Sequence, residues 1–204
     1  MNAFKNIKTA LENKREANHL LLKLRKGQSL PEEILCLPQL KTLEIHSEHA
    51  LNLPAFIGEK RGLQSLTLNF KSLTEIPPAV FLISSLKILK IKNSKVETLP
   101  EIQPTCMNLE KLYLNNNQLS ELPEWLGSFS ELETLALGRN NLVDLPHSIR
   151  KLQNLTWLDL ENNDFEYLPD VLKNLPKLSH LNVDNNDFSP EEKKRISQEY
   201  SIWF

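Results

Sequence analysis

Seven prolines, Pro31, Pro54, Pro77, Pro100, Pro123, Pro146 and Pro169, are spaced 23 residues apart, and each follows a leucine or an isoleucine. A fixed period of that length constrains the fold more than any local propensity, because it is the mark of a chain built from stacked supersecondary units. Leu40, Leu63, Leu86, Leu109, Leu132, Leu155 and Leu178 keep the same phase. A second leucine follows each three residues later, from Leu43 to Leu181, and two further on stands Ile45, Leu68, Ile91, Leu114, Leu137, Leu160 or Val183. Stepping back one period gives a weaker unit that starts at Ala17 and carries Leu20, Leu22, Leu30 and Ile34 in register. Eight units result, the first degenerate and the last truncated after Phe188.

The unit reads LxxLxLxxNxLxxLPxxLxxLxx. Its LxxLxL opening alternates with period two, which predicts a short strand with one buried face. The later apolar positions, such as Leu145, Ile149 and Leu152, follow a helical or turn-like spacing. Each unit is then a strand, a corner and a short return limb. One such unit cannot bury its own apolar face, so the units must stack, and their strands must form one parallel sheet on the inner side of a curved solenoid.

This pattern resembles the leucine-rich-repeat family, in its 23-residue LxxLxLxxNxLxxLP form common among intracellular and bacterial members. The best unit is LEKLYLNNNQLSELPEWLGSFSE, residues 109–131, and the resemblance runs over residues 17–188 without insertions. TALENKREANHLLLKL is similar to the amino-terminal lead-in of bacterial proteins of this class. The resemblance implies an α/β fold, a right-handed solenoid or horseshoe with a concave parallel β-sheet and short convex 3-10 limbs, used mostly to bind other proteins. It also implies that the asparagine at the ninth position of a unit is buried and bonds backbone groups of adjacent turns. Asn117, Asn140, Asn163 and Asn186 fill that position, but the first four units have Arg25, Glu48, Lys71 and Ser94 there. Lys and Glu lack the combination of donor and acceptor on a short side chain. A looser or differently bonded corner, with lower local stability, is expected in the amino-terminal half.

Both raw ends of the stack need covers. Residues 1–16 are expected to form an amino-terminal cap, helical over 2–16 through Phe4, Ile7 and Leu11. Residues 189–204 are expected to form a carboxy-terminal capping helix. There Ser189 is the N-cap, Pro190 the first helical residue and Glu192 the partner in a capping box. Ile196, Tyr200, Trp203 and Phe204 would lie over the last repeat. Neither cap has the cysteine-rich motifs of extracellular relatives, in keeping with a reducing compartment.

The formal net charge of −2 argues against a nucleic-acid or anionic-membrane binder. No apolar run approaches the ~18–20 residues of a membrane span, and the amino terminus lacks the ~7–15-residue apolar core of a secretory signal. The expectation is a cytoplasmic monomer, or an effector delivered without a cleavable signal. Cys36 and Cys106 lie on limbs three units apart, about 14 Å at one strand spacing per unit, beyond the ~4.4–6.8 Å of a disulfide. No phosphate-binding loop, GxGxxG, GxSxG or HExxH occurs. His19, His46, His49, His147 and His180 do not pair at metal-ligand spacing within any one helix or strand. No catalytic residue, cofactor or metal site is assigned, and the chain is expected not to be an enzyme.

The surface that remains is the set of outward positions on the strands. In a parallel in-register sheet, residues 23 apart lie about 5 Å from each other. Lys90, Lys92, Lys111 and Arg139 then form a basic middle, while Asp159, Glu161 and Asp184 form an acidic carboxy-terminal end beside His180. Tyr113 and Trp157 supply aromatic anchors, and Phe70 stands in the flanking row. Aromatic and charged residues mixed in this way resemble a protein-recognition surface. The expected partner is a protein with its own acidic and basic patches. Three alternatives stand beside this reading. The chain could be the substrate-recognition part of a larger enzyme, such as the repeat-bearing bacterial ubiquitin ligases, whose reactive-cysteine domain would have to lie beyond residue 204. The acidic patch could hold a divalent cation, with a carboxylate pKa raised by like-charge crowding. Trp125, on a return limb, would serve a convex or lateral contact.

Overall fold

The computed structural model describes residues 3–49 and 53–202. Eight strands form one parallel sheet in strict chain order: β1 (His19–Leu24), β2 (Thr42–Ser47), β3 (Ser65–Phe70), β4 (Ile88–Ile91), β5 (Lys111–Tyr113), β6 (Thr134–Ala136), β7 (Trp157–Asp159) and β8 (His180–Asn182). Every register offset equals one repeat, from His19 opposite Thr42 to Asp159 opposite Asn182. The leucines at the fourth and sixth positions point into a single core that runs the length of the stack, and Leu43, Leu66, Leu89, Leu112, Leu135 and Leu158 are fully buried.

The repeated proline precedes each return limb. Its extended backbone admits a five-residue 3-10 helix directly after it, as in Glu124–Ser128 after Pro123 and His147–Lys151 after Pro146. These limbs pack closely: a Cβ on Gly127 would lie 2.3 Å from the Ser148 carbonyl oxygen. The limb after Pro100 forms no such helix. Pro104 drives its predecessor Gln103 out of helical backbone geometry. The limb instead donates the Thr105 and Cys106 amides to the Phe81 carbonyl, at 3.0 and 3.3 Å. Cys106 is fully buried, and burial pushes its thiol up to about 12, while Cys36 is exposed.

Two kinds of corner join strand to limb. In the carboxy-terminal half the strand stops after three residues and the eighth position takes a left-handed backbone, at Asn116, Arg139, Asn162 and Asn185. The ninth-position asparagine then bridges two units. Asn140 Nδ2 donates to the carbonyls of Leu114 (3.1 Å) and Leu137 (2.7 Å), and its Oδ1 accepts the Leu119 amide (3.1 Å). Asn117, Asn163 and Asn186 repeat this pattern with Ile91, Leu137 and Leu160 as the carbonyls of the preceding unit. In the amino-terminal half, where that asparagine is missing, β1, β2 and β3 continue for six residues instead of three. Backbone pairing extends through the corner, and the turn closes locally through Leu73 N–H to the Phe70 carbonyl (3.1 Å). The corner is thus differently bonded.

That extension corrects the placement of Phe70. A strand that keeps its alternation turns the eighth position inward with the fourth and sixth, so Phe70 is fully buried in the core and contributes nothing to the outer face. The amino-terminal helix is also shorter than expected: α1 spans Ile7–Glu12, capped by Asn6. Phe4 instead bridges to Leu20, with its N–H on the His19 carbonyl and its carbonyl on the Leu21 N–H.

At the other end α2 (Pro190–Tyr200) starts as expected, with the Ser189 hydroxyl accepting from the Glu192 N–H at 3.1 Å. The reciprocal half of the capping box is replaced. Glu192 is buried and accepts the Leu168 N–H at 2.8 Å, and Arg195 ties it to the Leu168 carbonyl. Arg195 holds the Glu192 carboxyl below its usual range. The helix is therefore clamped to the last complete repeat. Ile196 is buried, and Tyr200 packs against the core. Trp203 and Phe204 lie outside the described residues.

Candidate binding face

Positions three, five and seven of each unit alternate away from the core, so the sheet's outer face is an array fixed by register. Lys111, Thr134 and Trp157 are cross-strand neighbours, as are Tyr113, Ala136 and Asp159. A depression of about 600 Å³ opens on this face, and seven of the candidate residues line it: Lys92, Lys111, Tyr113, Arg139, Trp157, Asp159 and Glu161. It exists because the residues between the two walls are small: Ala136 at the end of β6 and Gly138 just beyond it are both buried between taller neighbours.

On the β5 side, the ammonium groups of Lys90 and Lys92 stand 5.2 and 4.8 Å from the centroid of the Tyr113 ring. Each contact places a cation on the ring's negative face. The charge of neighbouring Lys90, added to partial burial as the larger cause, holds the Lys92 ammonium below the usual lysine range. No carboxylate pairs with Lys90, Lys92 or Lys111 among the described residues.

The β7 side is acidic and tied into place. Asp159 accepts from the Asn115 amide at 2.9 Å and from the Glu161 N–H at 3.2 Å. The Asn115 contact crosses two strands above Gly138, where a Cβ would lie 2.9 Å from Asp159 Oδ2 and 2.8 Å from Glu161 Cγ. A side chain at position 138 would therefore have to push the Asp159 carboxylate aside. Glu161 pairs with Arg139 at 3.5 Å and accepts from the Asn182 amide at 3.2 Å. The Asp159 carboxyl lies above its usual range, mainly because burial penalises its charge, with the Glu161 charge a smaller contribution. Like-charge crowding, the cause expected from sequence, is the lesser one. Among the described residues no three His, Cys, Asp or Glu side chains converge in a way that could hold a metal ion.

Trp157 is 47% exposed and stacks on His180, with ring centroids 5.0 Å apart and planes 13° from parallel. His180 lies beyond this wall, in a second hollow bounded by Tyr200 and Ile202. Asp184 is exposed and apart from both, beside Asn186 and Lys193. Trp125 is pinned between Phe81 and Phe129 at 5.0 and 5.7 Å, and its indole N–H donates to the Pro100 carbonyl at 3.0 Å. It braces the return limbs while staying only partly buried.

Two constellations were not singled out from the sequence. His19 and His46 both approach Glu44, at 2.8 and 3.7 Å, across β1 and β2. Lys60 is buried in the slot that holds Leu37, Ile83, Cys106, Phe129 or Leu152 in other units, with its ammonium donating to the Leu37 carbonyl at 2.8 Å. The 23-residue period would have revealed both once read across units rather than along the chain.

The family model for leucine-rich repeats matches residues 61–119, 107–165 and 130–188. No curated protein sequence matches the chain significantly. Among solved structures, an internalin, InlF of Listeria monocytogenes, superposes with a TM-score of 0.73 at 21% identity. The match covers 96% of this chain and 62% of the internalin, so the chain spans less than two thirds of that protein's length. The leucine-rich-repeat domain of the type III effector XopL gives 0.66 at 21% identity, over 83% of this chain and 70% of the effector domain. The ectodomain of the receptor kinase GASSHO1/SCHENGEN3 of Arabidopsis thaliana, solved in complex with CASPARIAN STRIP INTEGRITY FACTOR 2, gives 0.63 at 24% identity, over 88% and 25% of the two chains. Matched over residues 61–188 and folded as one parallel repeat array, the chain belongs to the leucine-rich-repeat family.

Proposed function

We infer that the protein is a non-enzymatic scaffold that binds a partner protein on its concave sheet face, through Tyr113 and Trp157, with a basic flank on one side and an acidic flank on the other. Leucine-rich-repeat proteins serve generally as protein-interaction scaffolds, and the family is typically non-enzymatic. The observation that carries the finer reading is the single depression that unites a half-exposed Trp157 and Tyr113 with lysines lacking carboxylate partners. Aromatic anchors in such hollows supply most of an interface's energy, whereas single rim charges supply little. The opposed charges steer and orient the partner.

The reading includes a monomeric scaffold with caps at 1–16 and 189–204 around a repeat array at 17–188, acting in the bacterial cytoplasm or as an effector. Affinity capture with wild type and with a Tyr113→Ala/Trp157→Ala double variant tests it. The partner retained by wild type should be lost from the variant, with a weakening of about 2 kcal/mol or more per aromatic, and Lys92→Ala should weaken binding far less. Unchanged capture by the double variant would remove the concave face from the function.

A further inference from the structure

The depression is a groove with polarity across its width. Its floor is Thr134 and Ala136 of β6, and its walls rise from the flanking strands β5 and β7, two strand spacings or about 10 Å apart. One wall presents Lys111 and Tyr113 of β5, with Lys92 reaching over the Tyr113 ring from the corner after β4, and neither lysine has a carboxylate partner among the described residues. The other wall presents Asp159 and Glu161, with Arg139 paired to Glu161 at 3.5 Å at the corner end. The Asn115–Asp159 hydrogen bond above Gly138 closes the groove at the end where each strand turns into its corner.

The geometry points to an occupant: an extended segment of a partner protein, about four residues long, whose side chains alternate between acidic and basic. A strand sends successive side chains to opposite sides at about 6.8 Å per pair of residues. Standing edge-on above the small residues of β6, it directs residues i and i+2 to the lysine wall and i+1 and i+3 to the carboxylate wall. A segment of one charge meets repulsion from one wall. Net charge is therefore a poor guide to this groove, and the order of charges along the segment is what it reads. The inference rests on the concave-face reading above and narrows it to one column of the sheet.

Fluorescence anisotropy with two labelled peptides of identical composition tests it. One alternates glutamate and arginine over eight residues, and the other places four glutamates before four arginines. At low salt the alternating peptide should bind wild type at least tenfold more tightly than the block peptide. Ala136→Leu, which fills the floor from the solvent side, should abolish that preference. Lys92→Ser/Lys111→Ser, which touches no core residue, should do the same with an unchanged circular dichroism melt. Equal binding of the two peptides, no binding of either at millimolar concentration, or a preference that survives both variants would overturn the proposal. Failure of the groove is separable from failure of the concave face. A partner captured by Ala136→Leu but not by the Tyr113/Trp157 variant removes only the groove, whereas a partner captured by both removes the face.

Discussion

The two halves of this solenoid hold the same leucine spacing by different means. From Asn117 onward each corner is stitched by a buried amide that donates to two carbonyls and accepts one N–H, and the strands shrink to three residues. In the early units Glu48 and Lys71 occupy the stitching position from the solvent side, forming an exposed ion pair at 3.2 Å, and β2 and β3 lengthen to six residues. The unit between, with Ser94 there, has a four-residue strand and a left-handed Asn93. Backbone groups at a corner need partners, and a side-chain amide and an extended ladder are interchangeable ways of supplying them. They are not equally fragile: the ladder spreads its bonds over many residues, while the asparagine concentrates three on one.

The largest consequence follows from that concentration. Asn140→Leu leaves the Leu119 N–H buried without its acceptor, while the Leu114 and Leu137 carbonyls each keep one amide donor, Asn117 and Asn163. At about 1–3 kcal/mol for the orphaned amide, the variant should lose about 1–3 kcal/mol in urea unfolding. Lys71→Leu, at the equivalent exposed position, should change stability by no more than about 0.5 kcal/mol. Equal losses would erase the distinction between the halves.

Lys60 sharpens the comparison from the amino-terminal side. Its ammonium occupies an apolar slot with one carbonyl acceptor, and burial lowers its pKa below 10.5. Lys60→Met should stabilise the protein by about 1–2 kcal/mol at neutral pH. The pH dependence has a definite sign. Between the lowered native pKa and 10.5 the unfolded chain holds a proton that the native chain does not, so wild-type stability rises with pH across that window. The advantage of the methionine variant should shrink from pH 8 to pH 10, as followed by thermal melts at each pH. An advantage independent of pH would mean that Lys60 is not burdened by its charge.

The smallest expected effect is at Arg139. It holds a left-handed backbone, φ 60°, at a position where Asn93, Asn116, Asn162 and Asn185 sit in the same conformation. Asparagine tolerates that region better than arginine does, and the exposed Arg139–Glu161 pair returns little. Arg139→Asn should raise stability by about 0.5 kcal/mol. An arginine that is suboptimal for the corner yet lines the groove agrees with a surface role for its charge.

Much of this was legible in the amino-acid sequence because the period is rigid. Seven prolines in phase determined register, and register alone placed Tyr113 beside Ala136 and Trp157 beside His180. The asparagine ladder and its absence from the early corners were legible too; what escaped is how far a strand runs where the asparagine is missing. Phe70 reads as an outer residue only if the strand stops before it, and β3 instead runs through it to the corner. Pro104 erased a limb helix that the Pro100 phase predicts. The Asn115–Asp159 bridge spans 44 residues and crosses above Gly138, which has no side chain, so one-repeat neighbour rules do not reach it. Glu192 was a capping residue by pattern, but a vacant amide on Leu168 captured its carboxylate.

Native-state hydrogen exchange on wild type and Asn140→Leu tests the two-corner account most directly. The Leu119 amide, bonded to Asn140 Oδ1, should be strongly protected in wild type and exchange at least a hundredfold faster in the variant, while the β2 and β3 amides of Ile45 and Leu68 keep their protection. A uniform acceleration along the chain, or an unchanged Leu119 amide, would contradict it.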